Sequence, residues 1–336
     1  MKRKLNNLSI YRLIATICVL QFHIFFILYA RAIPYETLLS KCVQGLTCLS
    51  GFLYSQKLIT DKKKFYLSSL LKIVIPALIC FLLMATWNLI YMFIFKDWNY
   101  INLFIDYRAY NGSLLIQPGN YYYIAYILVC YLITPILQRN DKFSLITAIL
   151  VILFELSIGY FFGPSIIMVS YLAGYYVGKK LFNQMTNVEV KYSVPTLLFL
   201  ILLTLSVIGS YIVLVEFPFG TNYALEHLHS LLMNITATTF GVVTFFLLIY
   251  IFRFTNKFNQ IKLFKLTDKI SLNVYLLNQA FMCGAMRVSD YVEPMWAKMI
   301  LVYTFTIVFA ILTYLLYALI NKYWITPKQR QQEAQA

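Results

Sequence analysis

Residues 193–215 carry the sequence SVPTLLFLILLTLSVIGSYIVLV, which holds no charged side chain over its whole length. A lipid hydrocarbon core about 30 Å thick is crossed by about 20 helical residues, so this stretch has the length and composition of a transmembrane helix. Lipid offers no hydrogen-bond partner to free backbone groups, so only helices and closed barrels cross it. The stretch does not alternate polar with apolar residues and is therefore predicted to be helical.

Similar apolar runs follow one another along the whole chain. Of its 336 residues 61% are hydrophobic and only 12% are charged, whereas a soluble domain carries about a quarter charged residues. The sequence therefore predicts an all-α, polytopic membrane protein with about ten transmembrane helices. The predicted spans are 8–30, 37–57, 70–95, 120–138, 143–162, 164–178, 193–215, 230–252, 270–287 and 297–320. Residues 1–325 are expected to form one integral membrane domain, and 326–336 a short polar cytoplasmic tail.

The net charge of +15 has two explanations, and its distribution decides between them. A basic chain can bind nucleic acid, but most of the 28 Lys and Arg residues fall in loops on the side that holds the N-terminus. The positive-inside rule then places both termini in the cytoplasm. Basic loops that face anionic lipid account for the charge, so we expect membrane lipid and not nucleic acid as the partner of this surface.

Two polar residues of the first predicted span lie on one helical stripe. Arg12 and His23 are eleven positions apart, which in a helix gives about 20° of azimuth and about 16 Å along the axis. Near neutral pH a His can accept and return a proton, and an Arg can hold a phosphate bidentately. The pair fits a phosphate-bearing donor that enters from the cytoplasm and reacts at mid-membrane. A structural His beside an Arg that reaches to the interface fits equally well.

Other polar residues give weaker indications. Glu155 is the only carboxylate placed deep in a predicted span, where it either orients His23, accepts a proton or serves as a structural acid. His227 and His229 stand beside Glu226 in a predicted outer loop, but a spacing of two residues is poor for a metal site. The six cysteines form no CxxC pair, so neither a zinc site nor a disulfide framework is indicated. We expect no metal.

The longest predicted outer loop, 96–119, mixes aromatic residues with Asp, Asn, Gln and Arg, and Tyr121, Tyr122 and Tyr123 follow it. Aromatic faces beside polar groups suit a sugar, which has apolar CH faces and a rim of hydroxyls. An interfacial aromatic belt is the alternative explanation.

Five short motifs occur in a fixed order over most of the chain. They are Arg12-Leu13-Ile14-Ala15 with His23, Ser50-Gly51-Phe52-Leu53, Lys72-Ile73-Val74-Ile75-Pro76, Tyr131-Leu132-Ile133-Thr134-Pro135 and Ser271-Leu272-Asn273-Val274-Tyr275-Leu276-Leu277. Each motif alone is weak, but together they resemble the acyltransferase-3 family of membrane proteins. Many members of that family O-acylate bacterial cell-surface polysaccharides.

The resemblance implies an O-acyltransferase of the bacterial cytoplasmic membrane. The donor would be acetyl-CoA or another acyl-CoA, and the acceptor a hydroxyl of a cell-surface or lipid-linked glycan. His23 would act as a general base or a transient acyl carrier, with Arg12 and Glu155 as the other catalytic candidates. The candidate donor-binding residues are Arg12, Lys62, Lys63, Lys64, Lys72 and Ser50. The candidate acceptor-binding residues are Tyr121, Tyr122, Tyr123, Tyr275 and Asn278.

The chain departs from the family pattern at several positions. Ser69 and Lys72 stand where the family often has paired arginines, and a Lys is a point charge without the bidentate fork of an Arg. Asn278 stands where the family commonly has a His, and it cannot shuttle a proton. These departures keep two alternatives open: a transporter or exporter of a glycan or acylated intermediate, and a catalytically inactive family member.

Overall fold

The computed structural model describes residues 5–28, 37–96, 122–162, 166–219, 222–259, 261–282, 288 and 292–325. Within these ranges the chain is helical and contains no β-strand, which confirms the all-α prediction. The α-helices are α1 (Asn6–Leu28), α2 (Thr37–Ser40), α3 (Cys42–Tyr54), α4 (Lys62–Phe95), α5 (Tyr122–Leu137), α6 (Asp141–Phe162), α7 (Met168–Thr186), α8 (Val194–Glu216), α9 (Tyr223–Ile251), α10 (Lys262–Leu277) and α11 (Met295–Ile320). Short 3₁₀ turns follow α9 (Phe252–Lys257) and α10 (Asn278–Phe281).

Five stretches of the described helices are long and apolar enough to cross a membrane. They are Asn6–Phe26, Lys62–Phe95, Val194–Glu216, Tyr223–Lys257 and Met295–Tyr323. The chain therefore has the helices of a multi-pass membrane protein. The count of ten spans and the cytoplasmic position of both termini stay predictions.

Two segments that were predicted as loops are helical. Lys62, Lys63 and Lys64 lie in the first turn of α4, because Asp61 caps that helix through a bond of 2.9 Å from the Lys64 N–H to its Oδ1. His227 and His229 lie in the first turns of α9, which Asn222 caps at 3.0 Å from the Ala224 N–H. Hydropathy does not detect a polar first turn, so both segments have the sequence pattern of loops.

The chain divides into two compact units. The first comprises Met1–Phe25, Arg31–Tyr66 and Tyr126–Asp268, and the second comprises Phe26–Ala30, Leu67–Ala125 and Lys269–Ala336. In the second unit, Asn273 of α10 donates from Nδ2 to the Thr313 hydroxyl of α11 at 2.9 Å. Such side-chain bonds between helices stabilise helix pairs where water is scarce.

In the first unit, α3 and α7 lie against each other with their backbones in contact. A Cβ built on Gly174 would lie 2.0 Å from the carbonyl oxygen of Cys48, and one built on Gly51 would lie 2.0 Å from that of Tyr171. No real Cβ tolerates such a distance, so the approach of these helices depends on glycine at both positions. Small residues serve the same purpose in membrane helix pairs generally.

We expect Gly174→Ala to destabilise the protein by roughly 1–3 kcal/mol, because its methyl group forces two packed backbones apart. Thermal unfolding of the purified protein in detergent measures the effect as a lower Tm. Gly209→Ala is the matched control, since nothing lies within 4 Å of a Cβ at that position and Ala favours a helix over Gly. An equal Tm for the two variants would contradict the close backbone contact.

Candidate active site

Helix α1 carries the predicted site, and buried asparagines hold its first turn in place. The Nδ2 of Asn7 donates to the carbonyls of Met185 at 3.0 Å and Ile249 at 2.9 Å, at the ends of α7 and α9. Asn256 closes the network, because its Nδ2 donates to Asn7 Oδ1 at 3.0 Å and to the Thr186 carbonyl at 2.8 Å. The last carbonyls of a helix have no partner within it, and these amides supply one.

Arg253, which follows α9 directly, strengthens the same junction. It is fully buried, and its guanidinium donates to the Gln184 carbonyl and, at 2.7 Å, to the Val190 carbonyl. The guanidinium also lies 4.1 Å from the ring centroid of Tyr192 and 5.1 Å from that of Tyr250. This Arg therefore binds the chain that leaves α7 and has a structural role in the first unit.

Arg12 forms an ion pair with Asp268 of α10. Its Nη1 contacts Asp268 Oδ1, and the Ser9 hydroxyl donates to Oδ2 of the same carboxylate at 2.9 Å. Ser9 and Arg12 share one face of α1 because they are three positions apart. The two charged side chains are 23% and 9% exposed, so water screens this pair less than a surface pair. Neither hydropathy nor the motifs indicated Asp268 as a partner, and the guanidinium expected to hold a phosphate already holds a carboxylate.

His23 lies on the same unbroken helix and is 8% exposed. Its ring lies beside that of Phe22, with centroids 5.3 Å apart. Nδ1 is buried without a partner, and among the described residues neither ring nitrogen has a hydrogen bond. A buried polar group without a partner is costly, and such groups in a native structure require an explanation. A ligand that supplies the missing hydrogen bond provides one.

Glu155 is buried in α6 and lies against the start of α7. Its Oε1 accepts from the backbone N–H groups of Ile167 at 2.9 Å and Met168 at 2.8 Å, and Oε2 accepts from Val169 at 2.8 Å. A carboxylate at a helix N-terminus satisfies free N–H groups and complements the helix dipole. The structure thus gives Glu155 a structural role, and its catalytic role stays a prediction.

The other predicted donor residues are spread over both units. Lys62, Lys63 and Lys64 are exposed in the first unit, and Lys72 is exposed in the second. The Ser50 hydroxyl donates to the Leu46 carbonyl within α3 at 3.2 Å.

Of the predicted acceptor residues, the structure brings two together. The rings of Tyr123 and Tyr275 meet edge to face in the second unit, with centroids 5.2 Å apart. Asn278 is buried at the start of the 3₁₀ turn that follows α10. Tyr121, the side chain of Tyr122 and the loop 97–119 lie outside the described residues.

His227 and His229 bind backbone carbonyls. The Nδ1–H of His227 donates to Tyr160 at 2.7 Å, and the Nε2–H of His229 donates to Leu214 at 2.7 Å. Each ring therefore ties α9 to a neighbouring helix. Across the described part of the chain, no three His, Cys, Asp or Glu side chains form a group that could hold a metal ion.

These features define a class of protein: a helical membrane protein in which one apolar helix presents an ion-paired Arg and a buried imidazole. The model of the acyltransferase domain family matches residues 5–315, nearly the whole chain. The chain therefore belongs to the acyltransferase-3 family, as the five motifs indicated, and is a membrane acyltransferase in that general sense. No curated protein and no solved structure matches it.

Glu155→Gln tests whether this carboxylate has a structural role. One of its two terminal atoms becomes a donor facing a backbone N–H, so we expect a loss of about 0.5–2 kcal/mol, as for other lost caps. Thermal unfolding would show a lower Tm, while the family's acyl-transfer activity, measured per folded molecule, should stay near wild type. Lost activity with an unchanged Tm would instead support a catalytic Glu155.

Proposed function

We propose that the chain is an O-acyltransferase of the bacterial cytoplasmic membrane. It transfers an acyl group, which we take to be acetyl, from a cytoplasmic acyl-CoA to a hydroxyl of a cell-surface or lipid-linked glycan. The observation that carries the proposal is the buried His23 imidazole, which has no hydrogen bond from the described residues and shares a continuous helix with Arg12. Membership of the acyltransferase-3 family supports the acyl chemistry.

The spacing of Arg12 and His23 suits such a donor. An acyl-CoA carries its phosphates and its thioester at opposite ends of a long flexible arm. With a phosphate on the Arg12 guanidinium, the arm follows α1 towards His23, about 16 Å further along the helix. The phosphate takes the place of the Asp268 carboxylate, because both are anions that a guanidinium binds through paired N–H groups.

His23 then activates the acceptor. A ring nitrogen accepts the proton of the glycan hydroxyl while the hydroxyl oxygen bonds to the thioester carbonyl carbon. The carbon–sulfur bond breaks, and the leaving thiolate takes the proton from the imidazolium, which gives an ester and free CoA.

Turnover by His23 variants is the sharpest test of this mechanism. Purified protein with radiolabelled acetyl-CoA and a glycan acceptor should transfer label, and His23→Ala should reduce turnover by roughly 10²–10⁴-fold. His23→Gln keeps hydrogen bonding but cannot cycle a proton, so it should fail as well.

Donor binding and Tm should stay near wild type in both His23 variants. Wild-type turnover by His23→Gln would remove the general base from the mechanism. Movement of a glycan across liposomes without covalent change would identify a transporter instead.

Asp268→Asn tests whether the donor competes with the ion pair for Arg12. Loss of the competing carboxylate should strengthen acyl-CoA binding by about two- to fivefold, the equivalent of an ion pair of roughly 0.5–1 kcal/mol. Arg12→Ala should weaken donor binding, and Arg12→Lys should recover only part of it because the bidentate fork is lost. Titration with a fluorescent acyl-CoA measures both effects. Weaker binding by Asp268→Asn would show that the carboxylate positions Arg12 and does not compete.

A further inference from the structure

Lys41, which joins α2 to α3, is a buried basic residue that no acidic side chain of the described residues neutralises. The residue is 9% exposed, and among the described residues its ammonium has neither a hydrogen bond nor an ion pair. Gln44, one turn further on, is also buried, and its side-chain Oε1 has no partner. Neither residue has a place in the mechanism proposed above.

Both residues lie where α3 meets α9. A Cβ built on Gly241 of α9 would lie 2.1 Å from the Lys41 carbonyl oxygen and 3.4 Å from the Gln44 Cβ. Residues three apart share a helix face, so Lys41 and Gln44 project from the same side of the chain. Both side chains are therefore buried between helices and do not face lipid or water.

The contacts between α1 and α3 relate this pair to His23. Gly45 meets the Tyr11 hydroxyl, whereas the thiol of Cys42 lies close enough to that of Cys18 to interact with it. Higher positions on α1 thus pair with lower positions on α3, so the two helices run antiparallel. His23 follows Cys18 on α1 and Lys41 precedes Cys42 on α3, so both lie beyond the thiol contact in the same direction along the helix axes.

A buried ammonium without an anion is costly, and ionisable residues among membrane helices mark the path of a substrate or ion. A ligand can supply the counter-charge that the described residues do not. A Lys is a compact point charge suited to a carboxylate or phosphate, and the Gln44 amide can bond an adjacent oxygen or hydroxyl.

We propose that Lys41 and Gln44 form a subsite for an anionic group of the acceptor, so that the enzyme acts on an acidic glycan. The charge is the carboxylate of an acidic sugar or the phosphate of a phosphorylated one. The inference rests on the proposed function for the statement that the acceptor hydroxyl meets His23. Lys41 then holds the charged group while a hydroxyl of the same sugar is presented to the imidazole.

Binding to matched sugars tests the subsite without acyl transfer. Purified full-length protein in detergent is titrated with glucuronate, glucose 1-phosphate and glucose at constant ionic strength, and thermal unfolding reports binding as a rise in Tm. We expect a rise with one or both anionic sugars and none with glucose. The anion that gives the larger rise identifies the carboxylate or the phosphate as the natural group.

Substitution of Lys41 assigns the binding to this side chain. Lys41→Met should lower the affinity for the anionic sugar at least about tenfold, as expected for a lost charged hydrogen bond, and Lys41→Arg should retain it. The ligand-free Tm of Lys41→Met should equal or exceed that of wild type, because an uncompensated charge has gone. Lys180→Met removes the same charge from an exposed position of α7 and is the matched control.

Two results would overturn the subsite: a rise in the Tm of wild type that is no larger with either anionic sugar than with glucose, or anion-dependent binding retained by Lys41→Met. If Lys41→Met does not fold, Gln44→Leu takes its place, and retained affinity for the anionic sugar counts against the proposal.

The acyl-transfer assay separates this inference from the proposed function. If the anionic sugar binds only when Lys41 is present but no acetyl group is transferred, the subsite is supported and the proposed reaction is contradicted. If Lys41→Met transfers the acetyl group to glucose and to glucuronate at wild-type rates, the subsite is contradicted and the proposed reaction is supported. An equal loss of transfer to both sugars would mean that Lys41 acts on the reacting carbonyl and would also overturn the subsite.

Discussion

The buried amide network around Asn7 and Asn256 fixes the helix on which the candidate chemistry lies. A helix end surrounded by apolar side chains has free carbonyls that neither water nor lipid can satisfy. The asparagine amides bind those carbonyls at the ends of α7 and α9. These bonds fix the position of α1 along its axis and its rotation about that axis. The network therefore also fixes the positions of Arg12 and His23, because α1 continues without a break through both residues.

Buried polar groups in the first unit fall into two kinds. Glu155 and Arg253 bind backbone groups through their side chains, and each fixes the end of a helix. His23 and Lys41 are also buried but have no such partners among the described residues. A folded protein retains costly unpaired groups where function requires them, so the second kind indicates a ligand and the first indicates architecture.

Hydropathy and short motifs predicted the helical class, the common helix of Arg12 and His23 and the family, because these depend on neighbouring residues. The partner of Arg12 could not be found in this way, since Asp268 is 256 positions distant and stands among lysines that suggested only a basic loop. Asn7 and Asn256 are 249 positions apart and appeared as ordinary polar residues at helix ends. Lys41 was overlooked for another reason. A single basic residue near the start of a span is common at a membrane interface, and only the packing of α9 against it shows that it is buried.

The ion pair between Arg12 and Asp268 has a consequence for ligand discrimination. A carboxylate attached to the same chain competes at an effective concentration far above that of a free ion, because the fold has already brought it to the guanidinium. A small anion such as inorganic phosphate must displace it with one contact alone. A long ligand that is bound at a second point also presents its anionic group at a high effective concentration, so it can displace the carboxylate. On the proposed function, the resting pair would therefore keep small anions from Arg12 and still admit an extended donor.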